Sequence, residues 1–171
     1  MGLFGRGDDN DGGSVRRFQM REKMMSIGDD YWIEDESGHR AYKVDGKALH
    51  FRDTFILEDA SGQQVAKIQE KKLTLRDKMV IERPSGNATV QKKLIGIRDH
   101  FKIEVDGKPD LEAHGKVLDH EYKIERDGNT IAKVSKKWFR VRESYGIEIE
   151  PGEDVSLLLA ISVCLDAMSL G

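Results

Sequence analysis

Apolar and polar positions alternate along most of this chain, and they do so in a recurring phrase. Six short stretches read as a bulky apolar residue, any residue, a branched aliphatic, then glutamate. The first is Tyr31-Trp32-Ile33-Glu34, and the others open at Phe55, Met79, Phe101, Tyr122 and Tyr145. The phrase returns every 21 to 24 residues. A glycine follows each first position by six or seven residues: Gly38, Gly62, Gly86, Gly107, Gly128 and Gly152. Five of these glycines are preceded by Ser or Asp. Period-two alternation is the signature of a half-buried strand. Two such runs around a Ser-Gly or Asp-Gly pair signal a hairpin. A second alternating run follows each of the first five glycines, as in "QQVAKIQ" and "NTIAKVSK". Each unit therefore predicts one β-hairpin. One strand candidate, "RRFQMREKM", precedes the first unit, and "YGIEI" opens the sixth. The count is twelve strands.

Leucine-rich repeats share this period but carry a Leu/Asn consensus that is missing here, and a propeller blade needs about 40 residues. Sequential antiparallel hairpins favour a meander that curls and closes. A two-sheet sandwich with accidental periodicity is the alternative.

The sixth unit has no return strand. It runs into "DVSLLLAISVCLDAMSLG", residues 154 to 171. Drawn as a helix, the segment is apolar on every face, so it belongs in a membrane or inside protein. A bilayer needs about 20 apolar residues, and Asp166 interrupts this run after Leu165. Enclosure suits it better. Twelve strands about 4.8 Å apart, tilted near 40°, close at a radius of roughly 12 Å. That is too wide for strand side chains alone to fill, but an α-helix is about 10 to 12 Å across. Pro151, Glu153 and Asp154 suit the start of a helix over about 154–169. The expected fold is a closed twelve-stranded antiparallel β-barrel around a C-terminal apolar α-helix.

Composition adds limits. The chain has 171 residues, 35% of them charged, and a formal net charge of −3. This fits one domain and shows no bias towards nucleic acid. Cys164 is the only cysteine, so no intrachain disulfide can form, which suits a reducing compartment. A cytoplasmic location is expected. Its apolar neighbours make Cys164 a buried hydrophobe. Residues 1–14, rich in Gly and Asp, predict a disordered tail before a single domain over 15–171.

The stretch "WFRVRESYGIEIEPGEDVSLLLAISVCLDAM" resembles the C-terminal signature of the LURP-one-related family, which belongs with Tubby C-terminal domains and phospholipid scramblases. "FQMREKMMSIGDDYWIEDESG" and "KVDGKALHFRDTFILED" look like its microbial members. The resemblance covers about residues 16–169. It implies a twelve-stranded barrel around a C-terminal helix. Tubby domains bind phosphoinositide head groups through basic residues, but no such residue can be carried over position by position.

Charge placement on the expected barrel suggests chemistry. The hairpin turns are acidic, with Glu34, Asp35, Glu36, Glu58, Asp59, Glu150, Glu153 and Asp154. The links between hairpins collect cations. Lys71, Lys72, Lys92, Lys93, Arg98, Lys136, Lys137 and Arg140 form a candidate anion-binding rim. Neighbouring Lys and Arg side chains suit phosphate-bearing head groups. The competing reading pairs these cations with Asp53, Asp77, Asp99 and Glu143 on a solvated surface.

Asp99-His100 and Asp119-His120 are metal-ligand residue types, but neither pair has a ligand spacing used by known sites. No metal and no cofactor is expected. Lys136-Lys137 stand before Trp138-Phe139, and alternation sends one of these two aromatics into the core. No nucleophile elbow or phosphate loop is present, so an enzyme is not expected. The sequence therefore points to a binding module. Its partner would be an anionic phospholipid head group, peripheral at the membrane, or, as the alternative, a protein that uses the domain as a scaffold.

Overall fold

The computed structural model describes residues 13–21, 30–45, 54–71, 78–93, 98–138 and 144–169. The expected tail lies, up to residue 12, outside them. Twelve strands form: β1 (Arg16–Arg21), β2 (Tyr31–Asp35), β3 (Arg40–Asp45), β4 (Thr54–Asp59), β5 (Gln64–Glu70), β6 (Lys78–Glu82), β7 (Ala88–Lys93), β8 (Asp99–Val105), β9 (Leu111–Lys116), β10 (Glu121–Arg126), β11 (Asn129–Ser135) and β12 (Ser144–Ile149). One α-helix, α1 (Val155–Ser169), ends the described chain. Each strand pairs antiparallel with its chain neighbour, and β1 also pairs with β12 to close the barrel. The sandwich alternative is therefore excluded.

The recurring phrase has a physical meaning in this barrel. Its third positions, Ile33, Leu57, Ile81, Ile103, Ile124 and Ile147, point inward and are fully buried. The glutamates beside them fall on the other face of the pleat, where none is buried. The six phrase glycines all have positive φ, between 70° and 127°, which L-residues adopt only at a cost. They turn each hairpin, and Gly152 turns the chain from β12 into α1. Two turns repeat one device. Asp35 Oδ1 accepts from the Ser37 and His39 N–H groups, and Asp59 Oδ1 accepts from the Ser61 and Gln63 N–H groups. These are Asx-type turns, in which a carboxylate satisfies the turn backbone.

Inside, nine consecutive helix residues from Leu157 to Leu165 are buried. A helix lying on a surface cannot bury an unbroken run, so α1 is enclosed on all sides. Its 15 residues rise about 22 Å. Asp154 caps it: Oδ1 accepts from the Leu157 N–H at 3.1 Å and from the Ser156 hydroxyl at 3.0 Å. Two ion pairs tie this start to the wall, Arg83 Nη1 to Asp154 Oδ2 at 2.6 Å and Arg126 Nη1 to Glu153 Oε1 at 2.9 Å. Among the described residues, no helix is long and apolar enough to cross a membrane.

Candidate functional site: the link end of the barrel

An antiparallel meander puts all hairpin turns at one end of the barrel and all links between hairpins at the other. The first position of each phrase lies inward at the link end. Phe55, Met79 and Phe101 are buried there. The other three first positions are tyrosines, and their hydroxyls meet the last turns of α1. Tyr145 Oη donates to Asp166 Oδ2. The His120 ring stacks on Tyr145 with centroids 4.0 Å apart, and His120 Nδ1 lies 3.5 Å from Asp166 Oδ1. His120 reaches this position from the tight β9–β10 link, where its φ is +50°. The hydroxyls of Tyr31, Tyr122 and Ser162 are buried nearby, with no hydrogen bond of good geometry among the described residues.

Burial sets the protonation of this cluster. Removal from water raises the Asp166 carboxyl above its ordinary range, although His120 and Tyr145 oppose the rise. Burial first, and then the Asp166 charge, push the Tyr31, Tyr122 and Tyr145 hydroxyls well above the usual phenol value. The same two causes raise the Cys164 thiol. Along the chain Asp166 marks only the end of an apolar run. The signal for the cluster is the choice of Tyr, rather than Phe or Met, at three of six equivalent positions.

Gly115 makes room for the cluster. Its φ is +143°, and a Cβ there would lie 2.6 Å from the Glu121 carbonyl oxygen and 2.7 Å from Tyr122 Cα. Only a bare backbone lets β9 approach β10 this closely.

The rim cations that are described all lie at the link end. Lys71 follows β5, and its N–H donates to the Lys78 carbonyl at 2.9 Å. Lys92 and Lys93 end β7, and Arg98 precedes β8. Lys136 and Lys137 sit in a short 3-10 turn after β11 and are exposed. Lys72 and Arg140 lie outside the described residues, as do Asp53, Asp77 and Glu143. The structure groups only part of the set. β5 and β7 are two strands apart, about 10 Å, while Lys136 and Lys137 lie four strands further round. Lys92 turns to Asp99, with Nζ 3.7 Å from Oδ1, as the solvated reading expects. Lys71, Lys93, Arg98 and Lys137 have no ion-pair partner among the described residues.

Trp138 lies in the 3-10 turn, half-buried, with the Arg17 guanidinium 5.6 Å from its ring; Phe139 is outside the described residues. The two Asp-His pairs do not share a site. His120 turns inward to Asp166, whereas His100 faces outward, stacked on His114 with centroids 6.3 Å apart. Among the described residues no group of three or more His, Cys, Asp or Glu is placed to hold a metal.

The LURP-one-related family model matches residues 16–166. The X-ray structure of a protein from Arabidopsis thaliana superimposes with a TM-score of 0.65 at 14% identity, over 92% of this chain and 93% of that one. At that identity the likeness concerns the fold. Among curated proteins, none matches this chain in sequence. The phrase, the closed barrel, the enclosed helix and a match over nearly the whole domain agree: the chain belongs to the LURP-one-related family.

Proposed function

We propose that this chain is a non-enzymatic binding module whose link end takes anionic, phosphate-bearing groups, with the head groups of an anionic membrane as the favoured source. Family and fold suggest a binding domain. One observation carries the finer reading: described cations without an ion-pair partner among the described residues stand together in number at the link end. At the turn end, Arg83 and Arg126 are both held by carboxylates. At the link end, Lys71, Lys93, Arg98 and Lys137 have no ion-pair partner among the described residues, while Lys92 is paired with Asp99. Leu118 supports a membrane as that partner. It stands 64% exposed in the β9–β10 link, at the same end of the barrel as these cations, and an apolar tip at a basic end suits a lipid–water boundary.

The test is sedimentation with vesicles of rising phosphoinositide content. Binding should rise with anionic lipid and fall with salt. Each cation near such a surface contributes about 1 kcal/mol. Changing Lys71, Lys93 and Lys137 to Gln should therefore weaken binding by on the order of 10²-fold. Changing Glu34, Glu36 and Glu58 to Gln should not. Sedimentation indifferent to lipid charge would remove the lipid reading and favour the scaffold role.

A further inference from the structure

The strand register sets one row of side chains apart on the outer face of the wall. Lys93 of β7 stands opposite His100 of β8, His100 opposite His114 of β9, His114 opposite Lys123 of β10, and Lys123 opposite Lys133 of β11. Five basic side chains therefore succeed one another across five strands with no acid between them, over about 19 Å at about 4.8 Å per strand. Their strand neighbours Phe101, Ala113, Tyr122, Ile124, Ala132 and Val134 are buried in the core. Like charges directly opposite each other cost a sheet stability. Lys123 and Lys133 are such a pair, and both are exposed.

The nearby carboxylates are committed elsewhere. Glu148, opposite Lys133 in β12, is held by Arg17 at 2.8 Å. Glu125 Oε2 lies 3.0 Å from His114 Nε2, and Glu112 Oε2 lies 3.9 Å from His100 Nε2. Glu121 Oε1 accepts from the Ser135 hydroxyl and the Lys136 N–H. Lys93, Lys123 and Lys133 have no ion-pair partner among the described residues.

The shape of the row selects its partner. It is one residue wide, with Glu112 and Glu125 on its turn-end side and Glu121 on its link-end side. A broad anionic surface would meet those carboxylates too and be repelled, whereas a thin anionic chain can follow the lysines and avoid them. Apart from the two imidazoles, the rings of β7–β11 are Phe101 and Tyr122, both buried. The face therefore offers no aromatic platform on which bases could stack. Lysine meets phosphate as a point charge, which suits a chain of bare phosphates.

We propose that this row binds a linear phosphate polyanion, inorganic polyphosphate, laid across β7–β11. The site does not rest on the lipid reading: only Lys93 is shared with the basic rim, and the test turns on Lys123 and Lys133. Titration calorimetry on the full chain compares triphosphate, long-chain polyphosphate and single-stranded oligothymidylate. Affinity should rise from triphosphate to the long chain, because one chain then engages several lysines, and should fall with salt. Lys123→Gln with Lys133→Gln should weaken long-chain binding by about tenfold or more. Lys123→Glu should weaken it further, and its new acid opposite Lys133 is a favourable cross-strand pair that keeps the sheet intact; melting curves check this. Lys71→Gln with Lys137→Gln, at the rim, should bind polyphosphate as the parent does. The proposal is overturned by absence of saturable long-chain binding, by triphosphate binding as tightly as the long chain, or by oligothymidylate binding more tightly than polyphosphate. It is equally overturned if the Lys123 and Lys133 variants keep the parent's affinity, or if the rim variant loses as much as they do.

Discussion

At the turn end of the barrel, carboxylates serve the backbone: Asp35 and Asp59 each bind turn N–H groups, and Asp154 caps the central helix. At the link end, one carboxylate, Asp166, is buried among aromatic hydroxyls, and Lys71, Lys93 and Lys137 have no ion-pair partner among the described residues. The same hairpins produce both ends, so the difference does not come from the strands. It comes from the turns at one end and from the last turns of α1 at the other. Turns are short and must satisfy their own polar groups, whereas the β9–β10 link turns its His120 inward to a carboxylate of α1. The lesson is that carboxylates at one end serve the local backbone, while the buried carboxylate at the other is held by side chains from distant segments.

The largest effect should come from the element that joins the two ends. Leu159 is fully buried in the middle of α1. Leu159→Asp places an unpaired carboxylate there, at a cost of several kcal/mol, on the order of the whole stability of a domain. Loss of cooperative thermal unfolding is the expected readout; a soluble, cooperatively melting variant would show that α1 is not the core.

Next is a contrast between glycines at the two ends. Gly62 has φ +84° with open space around it, while Gly115 at the link end has no room for a Cβ. Gly62→Ala should cost about 1–2 kcal/mol from backbone strain alone. Gly115→Ala should add an overpacking cost of about 1–3 kcal/mol. Urea midpoints at unchanged slope measure the difference, and equal costs would remove the close-approach argument.

A subtler contrast lies in pH. Burial raises Asp166 in the folded chain, so its contribution to stability is present below the ordinary carboxyl range, about 3.9, and is lost as pH rises through its folded value. Asp154 runs the other way. Burial works to raise it, but Arg83, the Leu157 N–H and the Ser156 hydroxyl together bring it below its usual range. Its contribution is present at neutral pH and is lost on acidification. Asp166→Asn should therefore lessen the fall in Tm as pH rises above the ordinary carboxyl range, and Asp154→Asn should lower Tm at neutral pH but not in acid. Melting curves across pH separate the two, and parallel curves would contradict the assignment.

The smallest effect concerns Cys164, which is fully buried with its thiol pushed up by burial. It should resist thiol reagents in the native protein and react in denaturant. Rapid native labelling would place that helix face in solvent.

Much of the fold is legible because strands report themselves locally. Alternation at Tyr31-Ile33 or Phe55-Leu57 needs only a few adjacent residues, and a glycine at a fixed distance marks the turn. The enclosed helix is equally plain from Val155 to Leu165, since no exposed face interrupts it. The candidate site is less legible. Lys92 and Lys93 are neighbours in sequence, but the pleat sends them to opposite faces, and only the fold shows Lys92 turned to Asp99. Asp119-His120 reads as a surface pair along the chain, yet the link backbone carries His120 inward.

The sequence by itself determined the repeating unit, the strand count and the identity of the core helix, because each depends on local periodicity and on burial of apolar area. Only the tertiary structure decided the company that polar groups keep. Asp166 meets Tyr145 and His120 from distant segments, and Arg126 meets Glu153 across the barrel mouth. These arrangements depend on closure and register, which bring together residues with no pattern between them along the chain.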